Sequence, residues 1–363
     1  MRRIKIIALV ALVCSSVFSF GQKSSGYYHQ QLAKLHQAIE TAFYLPGENY
    51  YKETAELQPG KNAYSYLWPL CGLIQAANEI EVATADKNAM AKTMRIIGKY
   101  YDPAPPAPGY ASYTIEKGGG DRFYDDNQWI GIACMDAYVR KKQASALATG
   151  KLIYRYMMTG YDTVLNGGLY WQENKKVSKN TCSNGPAAVL CMQLYKATGE
   201  KPYLDTAILI YNWTKKALLA PNGVYWDNVR IKDGRIGKAQ FSYNTGTMLQ
   251  SGLYLYEATK DKKYLVDAQR LADSSLTFFY GSGKFRDSYW FNAVLLRGYQ
   301  HLLKHNSDMK YITAFKTCLN NALQNDVNEA GLLGKGKTAD LVGQSGMLEI
   351  LARFAQLEER YKW

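Results

Sequence analysis

Two kinds of helical pattern alternate along this 363-residue chain. Apolar stretches rich in small residues begin near Tyr66, Asp125, Asn184, Asn244, Ser288 and Gly343, and each is preceded by a stretch that carries its charge on one face. A helix that is apolar all round belongs in an interior, whereas a one-faced helix packs against it and keeps its polar side in water. The pattern therefore predicts six helical hairpins and twelve helices. Strand-like pieces are few and short, at Gly168-Leu-Tyr-Trp171 and Gly223-Val-Tyr-Trp-Asp227.

Internal repetition supports the hairpin unit. Tyr195-Lys-Ala-Thr-Gly-Glu-Lys-Pro-Tyr203-Leu204 returns 61 residues later as Tyr256-Glu-Ala-Thr-Lys-Asp-Lys-Lys-Tyr264-Leu265, and a looser copy runs from Tyr299 to Tyr311. Each copy joins two helical patterns through a short polar turn. The closed arrangement of six such hairpins is an all-α (α/α)6 barrel, with the apolar helices inside and their N-termini converging on one mouth. The Pro-rich passage Pro103–Pro108 is too short for a linker and reads as a rigid loop, so residues 22–363 are expected to form one domain.

The first 21 residues read differently. Arg2, Arg3 and Lys5 precede the apolar run Ile6–Val13, and Ser19-Phe-Gly21 offers small residues where a signal peptidase cuts, so residues 1–21 are expected to be a signal peptide. Val13 is bulky where a lipoprotein signal needs a small residue, which argues against lipid attachment at Cys14. No later apolar run is long enough to span a membrane, so export to the periplasm, cell surface or medium is expected. Losing three cations lowers the net charge from +13 to +10. The basic residues are scattered, which argues against a nucleic-acid partner. Cys71, Cys134, Cys182, Cys191 and Cys318 form an odd, unpatterned set, which argues against a disulfide framework and against zinc.

Candidate chemistry concentrates at Gly118-Gly-Gly-Asp-Arg-Phe-Tyr-Asp-Asp-Asn-Gln-Trp129, where a glycine-rich loop turns into a helix at Asp125-Asp126. Neighbouring Cα atoms lie about 3.8 Å apart. Two adjacent aspartates can therefore hold their carboxyl groups near the roughly 5–5.5 Å used by retaining glycosidases. A helix N-terminus favours the charged nucleophile, and a desolvated setting keeps the acid protonated. The plainer reading is an N-cap with a companion carboxylate in the first turn.

The other inner-helix starts bring Tyr66, Trp68, Asn180, Asn184, Tyr243, Asn244, Tyr289, Trp290 and Gln344 to the same mouth, and nearby loops add Trp171 and Trp226. Aromatic faces stack on pyranose rings, and amides both donate to and accept from hydroxyls, so the set reads as a sugar site. Asn184 and Asn244 also read as N-caps, Trp129 and Trp290 as wall packing, and Gly167-Gly168 as a turn requirement. Asp136 reads as structural.

Several segments, in order, resemble glycoside hydrolase family 76, the endo-α-1,6-mannanases. They are Tyr124-Asp-Asp-Asn-Gln-Trp129, Gly167-Gly-Leu-Tyr-Trp171 with Lys179-Asn-Thr-Cys-Ser-Asn184, Ala197-Thr-Gly-Glu-Lys-Pro-Tyr203 and Phe241-Ser-Tyr-Asn-Thr-Gly246. The resemblance implies a retaining mechanism with Asp125 as nucleophile and Asp126 as acid/base, mannan or manno-oligosaccharide as substrate, and no metal or cofactor. Trp68, Trp129, Trp171, Asn180, Asn184, Tyr243, Asn244 and Trp290 are the expected sugar contacts, on a monomer. The segment Phe285–Trp290 with Arg297 follows the family only loosely.

Rival readings leave traces that can be checked. Epimerases on this barrel use histidine acids and bases, yet His29, His36, His301 and His305 all lie away from the inner-helix starts. A metal-dependent Asp-Asp site would need a second carboxylate motif on a facing helix. A transglycosylase would keep the same site and change only the acceptor, and a mannan-binding protein would keep the aromatics without turnover.

Overall fold

In the computed structural model, residues 26–56, 60, 62–335 and 338–362 are described. The expected signal peptide and Cys14 lie outside them. Among the described residues, twelve α-helices alternate around a closed ring. The inner six are α2 (Leu67–Ala83), α4 (Tyr124–Lys141), α6 (Thr181–Thr198), α8 (Ser242–Thr259), α10 (Tyr289–Leu302) and α12 (Leu341–Tyr361). The outer six are α1 (Tyr27–Phe43), α3 (Ala89–Ile97), α5 (Ala144–Met158), α7 (Lys201–Leu218), α9 (Lys262–Phe279) and α11 (Lys310–Asn325). Each inner helix packs on the next, and α12 packs on α2, which closes an (α/α)6 barrel.

The two sequence patterns map onto the two layers. In α9 the buried positions are Tyr264, Ala268, Leu271, Ala272, Ser275 and Phe279, a single stripe at helical spacing. In α6 every residue from Thr181 to Leu194 is buried. Small residues let the inner helices touch backbone to backbone. A Cβ placed on Gly346 of α12 would sit 2.2 Å from the Trp290 nitrogen, and one on Gly246 of α8 would sit 2.7 Å from Leu295 Cα.

The repeated turn is a helix stop. Lys142, Gly199 and Lys260 take left-handed conformations at the ends of α4, α6 and α8, each donating its N–H to the carbonyl of Tyr138, Tyr195 or Tyr256. At the seam, the α1 N-terminus has no side-chain cap of its own, and the Glu358 carboxylate of α12 accepts from the N–H groups of Tyr27 and Tyr28 at 3.0 and 3.1 Å.

The inner helices begin one to three residues from the expected positions, and Asn184 and Asn244 are not N-caps. They lie inside the first turns of α6 and α8. The fourth residue of several inner helices instead clamps the incoming loop. Asn127 accepts from Tyr110 N and donates to Tyr110 O, Asn184 does the same at Leu169, and Gln344 at Leu333, all at 2.7–3.0 Å. Thr245 accepts from Tyr225 N at the matching place in α8. These side chains satisfy backbone groups of the loops that cover the inner-helix starts.

The strand expectation is also corrected. The loop strands at the mouth are β1 (Tyr44–Leu45), β2 (Tyr50–Tyr51), β3 (Tyr101–Asp102), β4 (Gly109–Tyr110), β5 (Ser178–Asn180), β6 (Asn228–Arg230), β7 (Ile236–Gly237), β8 (Tyr280–Gly281) and β9 (Lys284–Phe285). The Gly168–Trp171 and Gly223–Asp227 segments make only isolated bridges, such as Tyr170 to Lys179 and Leu219 to Tyr225. The ladder forms just after them, where β5, β6 and β7 pair antiparallel.

Candidate active site

At the mouth where the inner-helix N-termini converge, a cleft of about 670 Å³ opens. Its wall is aromatic. Trp290 lies edge-on to Trp68 and Trp129, with ring centroids 5.6 and 5.2 Å apart, and Tyr243 stacks on Phe291 at 4.1 Å. Trp129 and Trp290 are each only 2% exposed, so they form the floor of the wall. Tyr66 and Trp171, 42% and 38% exposed, stand at the rim, where they can offer whole faces to a ligand.

The loops that carry these side chains are pinned by buried cations. The Lys179 ammonium, fully buried, donates to Asp162 Oδ1 at 2.6 Å and to the carbonyls of Val164 and Gly167 at 2.7 Å. That fixes the turn at Gly167 and Gly168, whose φ values of +124° and +82° suit glycine. Trp171 follows that turn. The Arg122 guanidinium donates to the carbonyls of Ala104, Pro105 and Ala107 and pairs with Glu173, which anchors the Pro103–Pro108 loop.

Asp125 and Asp126 occupy the first turn of α4 and line the cleft. Burial pushes the Asp125 carboxyl up to about 6, against the pull of the Cys182 thiol, the backbone N–H groups of Asp125 and Asp126 and the Trp171 indole, which favour its charged form. Burial pushes Asp126 well above the carboxylate range, and the neighbouring charge of Asp125 adds to it. One oxygen of Asp125 is buried without a hydrogen-bond partner among the described residues. The pair thus combines a carboxyl able to ionise near neutrality with one that keeps its proton, which is the division of labour that acid-assisted displacement requires.

The cleft brings together Trp68, Trp129, Trp171, Asn180, Tyr243 and Trp290 with the two aspartates, and Tyr66 at the rim. Asn184 and Asn244 do not line it. Asn184 is consumed by its loop clamp, and Asn244 is fully buried behind Asp227. Gln344 clamps Leu333, and Tyr289 donates to Asp326, also away from the cleft. Trp226 lies off the lining as well.

Asp121, Asp227, Asn228, Ser178, Cys182 and Phe291 also line the cleft and were not singled out from the sequence. Asp227 had a signal. Gly223-Val-Tyr-Trp-Asp227 echoes Gly168-Leu-Tyr-Trp171-Gln172, so the second loop sets a carboxylate where the first sets an amide. Burial raises Asp227, while Asn228 and Asn244 pull it back down. Asp136 sits farther along α4, accepts from Gln193 at 2.7 Å and is pushed up to about 6 by burial. The described cysteines are all free thiols.

A twelve-helix toroid with an aromatic cleft and a half-buried carboxylate pair is a glycosidase-type architecture. The chain belongs to glycosyl hydrolase family 76, whose model matches residues 34–327. Among solved structures it is similar to the family 76 α-mannanase of Bacteroides thetaiotaomicron, with a TM-score of 0.85 and 25% identity over 94% of this chain and 98% of that one. The fold is also that of an α-1,6-mannanase from Salegentibacter, with a TM-score of 0.79 and 22% identity over 91% of this chain and 100% of that one. Among curated proteins it is similar to a mannan endo-1,6-α-mannosidase of Candida albicans, 33% identical over 171 residues. That match covers 43% of this chain and 38% of the relative, so the chain spans under half the length of the curated relative.

Proposed function

We propose that this protein is an exported, retaining endo-α-1,6-mannanase. The observation that carries the reading is the Asp125–Asp126 pair, two adjacent half-buried carboxyls of unequal proton affinity in an aromatic cleft. Family membership and the α-mannanase of Bacteroides thetaiotaomicron support mannan as substrate, and the names of the fungal relatives support an endo-acting cut at α-1,6 linkages. The charged, apolar and small-residue order of Arg2–Gly21 supports export. Among the described residues no helix is long and apolar enough to cross a membrane.

In the mechanism the Asp126 carboxyl gives its proton to the glycosidic oxygen as the Asp125 carboxylate attacks the anomeric carbon from the opposite face. The C–O bond breaks, the leaving mannan departs as an alcohol, and a mannosyl ester forms on Asp125. Asp126, now ionised, takes a proton from water as that water attacks the anomeric carbon and releases Asp125. Two inversions give net retention. Trp171 and Tyr66 offer stacking faces for flanking sugars, and Asn180 and Asp227 can bond to sugar hydroxyls.

The test is reducing-end release from debranched α-1,6-mannan, with the anomeric form of the first product followed by NMR. Asp125→Asn and Asp126→Asn are each expected to lower kcat by roughly 10³-fold, and wild type to release α-configured manno-oligosaccharides. A folded wild type that binds mannan without turning it over would make this a glycan-binding protein. Products lengthened by transfer to mannan in place of hydrolysis would make it a transglycosylase.

A further inference from the structure

Glu257, His301 and His305 meet at the end of the barrel away from the cleft. Glu257 lies in the last turn of α8, His301 in the last turn of α10, and His305 just beyond it. His301 Nε2 stands 2.8 Å and His305 Nε2 3.2 Å from the same Glu257 Oε1, and the three donor atoms all lie within 4.8 Å of one another. Nothing in the mannan chemistry uses them.

We propose that these three residues form a divalent transition-metal site, best suited to zinc, that ties α8 to α10. Two imidazoles and one carboxylate are a recurring zinc donor set, with water as the fourth ligand. Bonds of about 2.0–2.1 Å in a tetrahedron place neighbouring ligand atoms roughly 3.3 Å apart, so the observed spacings need only small shifts to admit an ion. The turn that follows α10, in which His305 N–H donates to the Leu302 carbonyl at 2.9 Å, carries His305 back beside His301. The carbonyl ends of α8 and α10 point towards this mouth, and helix C-termini favour cations. Tyr254 lies edge-on to His301 at 4.5 Å and Tyr256 edge-on to His305 at 5.4 Å, which fixes the orientation of both rings. Glu257 is shared with the exposed Lys196, whose ammonium lies 3.7 Å from the other oxygen and leaves Oε1 to the imidazoles. His301 Nδ1 has no hydrogen-bond partner among the described residues, so the outer contact that tightens such sites is lacking and the affinity is correspondingly modest.

The test uses the untagged, metal-stripped protein titrated with zinc against a chromophoric chelator, and with cobalt(II) for its tetrahedral visible absorption. One zinc per chain is expected, with a rise in melting temperature. His305→Ala and Glu257→Gln, both at partly exposed positions, are each expected to weaken uptake by more than about tenfold and to abolish the zinc-dependent rise. Melting temperatures of the metal-free variants, measured beside wild type, separate lost ligation from lost folding. Absence of stoichiometric uptake by wild type, or equal uptake by the folded His305→Ala variant, would overturn the site. Because the readout is metal uptake, the result is independent of whether mannan is cleaved.

Discussion

Asp125 and Asp126 are the same side chain placed next to each other, and they differ because one faces donors while the other is desolvated without them and feels its neighbour's charge. Asp125 looks onto the first-turn N–H groups, the Cys182 thiol and the Trp171 indole, and Asp126 gains no comparable donors. In the proposed mechanism Asp125 must be ionised and Asp126 protonated. Activity should therefore rise as pH increases through about 6, where Asp125 loses its proton, and fall at higher pH, where Asp126 loses its own. A kcat/KM profile on α-1,6-mannan checks this, and a profile flat through pH 6 would refute the assignment. The adjacency of the two aspartates was legible in the sequence, as were the tryptophans and tyrosines of the wall, though not Phe291. Their unequal environments were not, because the donors come from α6 and from the Trp171 loop. Asn184 and Asn244 were misread for a related reason. An asparagine near a helix start looks like a cap, and only the loop folded over it reveals the clamp at Leu169.

At the scale of the element, the inner helices depend on glycine for close approach. The Gly346 Cα faces the Trp290 backbone, and a Cβ there would meet atoms at 2.2 and 2.3 Å that cannot swing away. Gly346→Ala is expected to destabilise the fold by about 2–3 kcal/mol and to disturb Trp290 in the cleft wall. Gly47→Ala, whose Cβ would meet nothing within 4 Å, should stay within about 0.5 kcal/mol of wild type. Denaturant midpoints of the two variants decide the matter, and equal midpoints would show that the helices can part at no cost. Helix identity and order were readable from apolar runs and from the repeated turn, whose left-handed stop falls at Gly199 and Lys260 in its two close copies, with Lys142 ending α4 the same way. Helix starts were less readable, because α4, α6 and α8 begin without a side-chain cap bond.

Across the whole molecule the two mouths differ in chemistry. The far mouth holds a buried charge network. Arg297 grips Glu349 through two bonds at 2.6 and 2.7 Å, and Arg353 bridges Glu349 to Glu79. Burial alone would raise the Glu349 carboxyl, but Arg297 and Arg353 outweigh it and hold the group below its usual range. Removing the acid strips Arg297 of its paired carboxylate and leaves Arg353 with Glu79 alone, so Glu349→Ala should cost about 3–5 kcal/mol. Equilibrium unfolding measures this, and a loss below about 1 kcal/mol would mean that the network is no stronger than a surface ion pair. The network joins α2, α10 and α12 and thereby braces the seam where the ring closes.

Periodicity and repetition were enough to determine twelve helices in two layers, the closed toroid, and the mouth at which Asp125 and Asp126 stand. These are properties of local pattern, since burial on one face or on all faces is written into residue spacing. The tertiary structure alone decided which amides face the cleft and which clamp loops, that Asp227 joins the wall, and that Glu257 meets His301 and His305 at the end of α10. Each of those depends on residues from 11 to 102 positions apart meeting in the folded chain, from the Gln344–Leu333 clamp to Asp125 and Asp227 in one cleft, and no spacing within a single segment encodes such a meeting.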